Sequence, residues 1–143
     1  MAAPIQVVFD CADPNTLARF WASALGYILQ PPPPGFDTWE ELLAQMGVPE
    51  SAWGERSGII DPEGRGPRLF FQRVPEGKTA KNRVHLDLSV AGPEVQGAER
   101  VKLLEAEAER LVAEGARRVA VFDEYGEQWI TLLDPEGNEF DLQ

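Results

Sequence analysis

One histidine and a few carboxylates carry most of the chemistry that this sequence could perform. His85 is the only histidine, and Asp87 follows two residues later. Side chains alternate between the two faces of a strand, so His85 and Asp87 share one face, as do Gln6 and Asp10 of an earlier segment. Asp141, near the end of the chain, can converge on the same group. An imidazole among carboxylates can move protons, which makes His85, Asp141 and Asp87 candidate catalytic residues.

Each of these side chains also has a structural explanation. A single histidine in a half-buried strand often only hydrogen-bonds its neighbours. Asp10 and Asp87 can cap nearby backbone N–H groups or pair with Arg83 and Lys81. We favour this explanation for Asp10, and both roles stay open for Asp87.

Two segments of the chain recur in the same order. Residues 5–14 (IQVVFDCADP) align without a gap with residues 84–93 (VHLDLSVAGP), and Asp-Pro-Glu-Gly occurs at 61–64 and again at 134–137. Ordered repetition of two segments indicates two copies of one supersecondary unit. Such copies usually face each other across a pseudo-twofold seam. We therefore expect Gln6 and His85 at equivalent positions, with both side chains pointing into a common concavity.

The spacing of apolar residues predicts the order β-α-β-β-β in each half. The first half has strands at 5–11, from 27, at 57–60 and at 68–74, with a helix that Asp13-Pro14 opens and Gly26 ends. The second has strands at 84–90, 118–122, 128–133 and 139–142, with a helix over about 94–114. The predicted buried face of that second helix consists of Val101, Leu104, Ala108, Leu111 and Val112. Residues 75–83 are predicted to be the linker.

An insert interrupts the first half after its second strand. It starts with prolines at 31–34 and continues with a short predicted helix at 37–46, for which Asp37-x-x-Glu40 and Thr38-x-x-Glu41 are alternative capping boxes. A helix this short is marginal in water and must pack on something apolar. We expect the insert to close part of the pocket mouth, with Trp39 or Trp53 contacting the ligand. In the alternative, both tryptophans only cover the sheet.

Length and net charge indicate the number of domains and exclude some classes of binding partner. A chain of 143 residues fits one domain, and its net charge of -11 argues against binding to nucleic acid or to an anionic membrane surface. No apolar run is long enough to span a membrane. Cys11 is the only cysteine, which excludes an intrachain disulfide and favours a reducing compartment. The expected location is the cytoplasm.

Three motifs resemble those of a known superfamily. Asp13-Pro14 followed by Leu-Ala-x-Phe-Trp at 17–21, the segment 81–88 (KNRVHLDL) and the segment 129–140 (WITLLDPEGNEF) are similar to bacterial glyoxalase-like domains of the vicinal oxygen chelate superfamily. That superfamily includes glyoxalases, extradiol dioxygenases and bleomycin- or fosfomycin-resistance proteins. The resemblance implies an α+β fold, in which two βαβββ modules form a curved mixed-sheet cup with helices on the outer face. It spans residues 1–143 as one domain, with a first module at about 4–75, an insert at 30–56 and a second module at about 83–143.

The resemblance also implies a metal site. Metal-dependent members hold a divalent ion with side chains from the first and last strands of each half, which here correspond to Gln6, Gln72, His85 and Asp141. Zinc, nickel or iron would be the ion, although two amides are poor ligands beside one imidazole and one carboxylate. The alternative is a metal-free cup in which these groups bind a ligand directly.

The sequence leaves open whether the protein is an enzyme. As an enzyme, it would be a lyase or isomerase that acts next to a carbonyl of a small organic molecule in the cup, with His85 or Asp141 moving protons. The alternative is a non-catalytic protein that sequesters a small molecule or an antibiotic, as bleomycin-resistance proteins do. In both cases Gln6, Gln72, Trp39 and Trp53 are expected ligand contacts. A homodimer is the expected assembly, because edge strands need cover and twofold dimers are common.

Overall fold

Each half of the chain folds around its own four-stranded mixed sheet. The computed structural model describes residues 1–143, which form two compact units, Met1–Gly77 and Lys78–Gln143. The boundary falls inside the predicted linker. The strand order is β1-β4-β3-β2 in the first unit and β5-β8-β7-β6 in the second, and neither sheet is closed. The predicted α+β class with two βαβββ modules is confirmed.

In the first unit, the strands are β1 (Gln6–Cys11), β2 (Ile28–Leu29), β3 (Arg56–Ile60) and β4 (Arg68–Arg73). Its helices are α1 (Pro14–Leu25), α2 (Trp39–Gln45) and a 3₁₀ helix (Glu50–Glu55). In the second unit, the strands are β5 (Leu86–Leu88), β6 (Arg117–Glu124), β7 (Glu127–Leu133) and β8 (Glu139–Leu142), and the helix is α3 (Gly97–Ala113). In each sheet the first and last strands of the unit are parallel neighbours, and the other pairs are antiparallel.

Helix α1 begins and ends as its sequence predicts. The Asp13 carboxylate accepts hydrogen bonds from the hydroxyl and the backbone N–H of Thr16, and these bonds lower the pKa of Asp13. Gly26 ends the helix in the left-handed conformation, at φ 68°. Trp21 is buried, and its ring lies 5.1 Å from that of Phe9 on β1. The helix therefore packs on the face of the sheet to which Phe9 points.

Gln6 lies on the opposite face of the first sheet. Gln6, Val8 and Asp10 are exposed and alternate with more buried residues that face α1. In the second unit, Leu88 on β5 is buried, whereas His85 and Asp87 are exposed. Gln6 and His85 thus each lie on the helix-free side of their own sheet, and the common concavity stays a prediction.

Two predicted boundaries and one predicted buried residue in the second unit are wrong. The predicted strand at 84–90 is only three residues long, and His85 lies just before it. Helix α3 starts at Gly97 instead of 94, because Val95 N–H donates to Gly92 O in a turn and Gly97 has a φ of 61°. Val112 does not belong to the buried face of α3, since 44% of it is exposed. Leu104, Ala108 and Leu111 form that face.

The insert folds as a short α-helix followed by an unpredicted 3₁₀ helix. Thr38 is the N-cap of α2 and accepts the backbone N–H of Glu41, so the second of the two capping boxes is the one used. The 3₁₀ helix contacts α1. No helix of the protein combines the length and the apolar character needed to cross a bilayer.

The repeated Asp-Pro-Glu-Gly segments form related turns with different burial. Asp134 is completely buried and accepts N–H groups from the backbone of Glu136 and from the backbone and side chain of Asn138. Asp61 is partly exposed and accepts three backbone N–H groups, from residues 63, 65 and 66. These bonds lower the pKa of Asp61. Both aspartates hold their turn by accepting backbone donors.

Candidate functional site

His85, Asp87 and Asp141 form one group on the helix-free face of the second sheet. The His85 Nε2 atom lies 3.2 Å from Asp87 Oδ1 and 3.3 Å from Asp141 Oδ2. The parallel pairing of β5 with β8 puts Asp87 directly beside Asp141. His85 precedes Asp87 by two residues and therefore lies on the same face. The sheet register thus brings together the three residues that the sequence analysis gave as candidate catalytic residues.

A fourth side chain orients Asp141. Thr131 is the partner of Asp141 in the antiparallel pairing of β7 with β8, and its hydroxyl donates to Asp141 Oδ1 at 2.6 Å. The Asp141 side chain is 17% exposed, compared with 45% for Asp87 and 39% for His85. Asp141 is therefore the fixed carboxylate of the group, and Asp87 is the more accessible one.

The donor set fits a divalent metal ion. The three possible ligand atoms all lie within 4.8 Å of one another. Atoms that bind one zinc ion at about 2.0–2.2 Å are roughly 3 Å apart, close to the two distances from His85 Nε2. One imidazole N–H can donate fully to only one of the two carboxylates, whereas a cation would interact with both. The residues that could hold a metal are therefore His85, Asp87 and Asp141.

A cavity of about 410 Å³ opens next to this group. It lies between the ends of β5 and β8, the turn from β6 to β7 and the start of α3. Its wall includes Asp87, Asp141, Gln96, Arg100, Trp129 and Gln143. The Trp129 ring stacks on Phe122 at a centroid distance of 5.0 Å and an interplanar angle of 13°. The cavity thus combines carboxylates with a flat aromatic surface and a guanidinium group.

The two predicted glutamines in the first unit are engaged by neighbours. Gln6 Oε1 accepts a hydrogen bond from Arg68 Nη1 at 2.7 Å. Gln72 Nε2 donates to Asp10 Oδ1, also at 2.7 Å. Asp10 therefore has a structural role, as predicted for it, but its partner is the Gln72 amide and not a backbone N–H group, Arg83 or Lys81.

Strand register settles which residue of the first unit corresponds to Asp141. Val8 pairs with Phe70 in the first sheet, just as Asp87 pairs with Asp141 in the second. Phe70, rather than Gln72, therefore occupies the corresponding position. Gln72 pairs with Asp10, two residues further along β4. The sequence alone could not predict this register, because the loops before β4 and before β8 differ in length.

Both insert tryptophans donate their indole N–H groups to backbone carbonyls within the insert. Trp39 Nε1 donates to Gln30 O at 2.7 Å, and Trp53 Nε1 donates to Val48 O at 3.0 Å. Trp39 is 38% exposed, so part of its ring is available to other molecules. A ligand contact by Trp39 or Trp53 stays a prediction.

Sequence reasoning missed the second-sheet residues that complete the site. Trp129 and Thr131 are two residues apart on β7, so the sequence indicates that they share a face of the strand. It does not indicate which side chains of the neighbouring strand they contact. Arg100 looks like an ordinary solvated residue of an amphipathic helix. Its place in the cavity wall depends on how the start of α3 meets the sheet.

Comparison with known proteins places the chain among related folds. The family model described as "Glyoxalase-like domain" matches residues 6–143. A search of curated protein sequences finds no match. Among solved structures, a glyoxalase/bleomycin resistance protein/dioxygenase family enzyme from Burkholderia phytofirmans aligns with a TM-score of 0.62 at 14% identity, covering 96% of this chain and 94% of that chain.

Two further neighbours carry ligands. One is a mutant of the fosfomycin resistance protein FosX from Listeria monocytogenes, complexed with Mn(II) and 1S,2S-dihydroxypropylphosphonic acid (TM-score 0.63, 10% identity, 100% of this chain and 90% of that chain). The other is a bleomycin-binding protein from Streptomyces verticillus, complexed with copper(II)-bleomycin (TM-score 0.54, 15% identity, 100% of this chain and 96% of that chain). At these identities the likeness concerns the fold.

Proposed function

Because the chain belongs to the glyoxalase-like domain family, we propose that it binds a small organic molecule beside a divalent metal ion in its second unit. The observation that carries this proposal is that Asp87 and Asp141 belong both to the His85 group and to the cavity wall. A molecule in the cavity would therefore lie next to the ion. We also propose that both units work as one domain, since the family match spans them.

His85, Asp87 and Asp141 would hold the ion. One nitrogen and two carboxylate oxygens suit zinc, nickel, iron or manganese, and a FosX neighbour is complexed with Mn(II). When bound, the ion would act as a Lewis acid on an oxygen of the ligand. Whether Gln6 or Gln72 adds a ligand stays a prediction.

The reaction we propose is that of a lyase or isomerase acting next to a carbonyl. Asp87 is the more accessible of the two carboxylates, since its side chain is 45% exposed and Thr131 fixes Asp141, so Asp87 would accept the ligand's proton when it is not bound to the ion. Arg100 and Gln96 line the cavity and can bind a polar end of the ligand, while Trp129 offers a flat apolar surface. Together these groups would orient one carbon–hydrogen bond toward Asp87.

Metal titration of chelator-treated protein tests the proposal. We expect Zn(II), Ni(II), Fe(II) or Mn(II) to bind at one ion per chain, followed by binding of a co-purifying organic molecule identified by mass spectrometry. That molecule should be converted only by the metal-loaded protein. The absence of saturable binding by all four ions would contradict the metal site, and with it the enzymatic proposal.

A sequestering protein is the second candidate function, and the stacked pair Trp129–Phe122 favours it. Aromatic surfaces bind flat molecules without needing an ion. The bleomycin-binding neighbour holds an organic ligand on the same fold. In this case, metal-free protein should retain the co-purified molecule, which should be recovered unchanged after incubation with each metal.

We also propose a homodimer in the cytoplasm. Val119 and Val121 on the edge strand β6 are about half exposed, and cover by a second copy would remove apolar surface from water. Cys11 is the single cysteine and is buried, so the chain cannot form an intrachain disulfide, which suits a reducing compartment. Light scattering at micromolar concentration should give twice the 15.8 kDa of one chain. A mass of one chain would contradict the dimer.

A further inference from the structure

Arg68 is held flat on the helix-free face of the first sheet by two amide side chains. Its Nε donates to Gln30 Oε1 and its Nη1 donates to Gln6 Oε1, both at 2.7 Å. The two amides come from opposite edges of the sheet, one on β1 and one just after β2. The Arg68 guanidinium carbon also lies 4.8 Å above the centre of the Phe70 ring. Three independent contacts thus fix the orientation of the group.

No carboxylate neutralises this arginine. Both of its side-chain acceptors are neutral amide oxygens, and Arg68 forms no salt bridge. Two of its five N–H bonds are used, which leaves one on Nη1 and two on Nη2 for a ligand. By contrast, Arg110 and Arg118 each pair with a glutamate. In a chain of net charge -11, a partly buried guanidinium without a carboxylate partner is well suited to an external anion.

Gly58 provides the space in which the guanidinium lies. A Cβ atom on Gly58 would come within 2.9 Å of Arg68 Nη2 and of Gln30 Oε1, closer than Cβ atoms approach other heavy atoms. Gly58 has no positive φ, so its backbone conformation does not itself require glycine. The lack of a side chain at this position therefore accommodates the arginine, and alanine there would displace it.

Exposed apolar residues lie on the same face of the sheet as the guanidinium. Val8 pairs with Phe70 across the sheet and is 47% exposed, and Ile28 on β2 is 46% exposed. A bound molecule would thus meet a fixed positive charge beside apolar side chains. This combination suits an organic anion better than an inorganic one.

We propose that the helix-free face of the first sheet is an anion site, in which Arg68 binds the carboxylate or phosphonate of a small organic molecule. Gln6 and Gln30 position the guanidinium, and Gly58 leaves room for it. Gln6 thereby acts as a positioning residue for Arg68. This site involves no residue of the His85 group and does not depend on a metal.

Titration by NMR tests the site in the full chain with chelator present, so that no metal can bind the anion. The Arg68 Nε–H signal should shift saturably with benzoate or phenylphosphonate and should stay unchanged with neutral benzamide. The stronger response of the two anions identifies the preferred group. Arg68→Gln and Gly58→Ala should each weaken binding at least tenfold, measured on the Phe70 backbone amide, and Arg68→Lys should lie between them and the wild type.

Arg19→Gln is the matched control, because it removes one positive charge from an exposed position of α1. It should leave the anion affinity unchanged. The Gly58→Ala variant separates binding from stability, since its clash involves only the ends of two flexible side chains. If neither anion shifts the wild-type signal while Arg68→Gln lowers the melting temperature, Arg68 is only a clamp across the sheet and the proposal is overturned.

Discussion

His85→Ala is expected to abolish stoichiometric metal binding by the second unit. His85 is the only nitrogen donor of the group, and its Nε2 lies within 3.3 Å of an oxygen of each carboxylate. Loss of a partner that only orients a ligand typically costs 10- to 100-fold in metal affinity, so loss of the ligand itself should exceed roughly 100-fold. Isothermal calorimetry with Zn(II) or Mn(II) measures this loss directly.

Thermal unfolding provides a second readout of the same change. An ion at about 100 times its dissociation constant should stabilise the wild type by about 2.7 kcal/mol, and this gain should vanish in His85→Ala. Asp141→Ala should behave in the same way, whereas Thr131→Val should weaken binding only moderately because it removes the orienting hydroxyl. Asp10→Ala is the matched control, a carboxylate removed from the first sheet. Metal binding by His85→Ala at wild-type affinity would rule out the proposed ligand set.

The separate contributions of Gln6 and Gln72 can be measured in the same assay. Both amides already have partners, Arg68 and Asp10 respectively, so we expect Gln6→Ala and Gln72→Ala to keep most of the metal affinity. A loss comparable with that of His85→Ala would instead support the ligand set implied by the family resemblance.

Asp134→Ala is expected to lower the free energy of unfolding by about 3 kcal/mol. Asp134 has no exposed surface and accepts three N–H groups, two of them from the backbone of the turn. Removal of its carboxylate leaves three half-buried donors without this acceptor; an unsatisfied buried donor costs about 1–3 kcal/mol, and partial access of these donors to water keeps each cost near the lower end. Urea unfolding monitored by tryptophan fluorescence measures the change.

Asp61→Ala is the matched control, because it removes the same residue from the other copy of the repeat. Asp61 also accepts three N–H groups, but its turn is partly open to water, which can replace the lost acceptor. Its loss of stability should therefore be clearly smaller than that of Asp134→Ala. Equal losses would show that burial of the turn does not determine the effect.

The sequence predicts the modules because their signals are local. Asp13 and Gly26 define the ends of α1 through contacts within four residues, and both ends are confirmed. Because the repeat between residues 5–14 and 84–93 has no gap, the order of elements inferred for one half could be applied to the other. The prediction fails where tertiary contacts decide, as at Val112, which fits the helical stripe but is 44% exposed.

The candidate site is only partly predictable because it depends on register. Alternation places His85 and Asp87 on one face, yet the partner of Asp87 follows from the pairing of β5 with β8. A shift of two residues along β4 separates Gln72 from the position that corresponds to Asp141, and nothing in the sequence fixes that shift. The contacts of Arg68 could not be predicted either, because a single arginine at the start of a strand has the pattern of a solvated charge. Its two amide partners lie 38 and 62 residues away in the sequence.

The pairing of Val8 with Phe70, where the second unit pairs Asp87 with Asp141, shows how a duplicated framework can diverge. These two adjacent positions on neighbouring strands carry carboxylates in one unit and apolar side chains in the other, and neither position belongs to the buried core. These positions can therefore change without loss of the fold. In this chain the second sheet gathers carboxylates at these positions, whereas the first sheet holds its positive charge at Arg68, so two units with the same strand order present different charges on their helix-free faces.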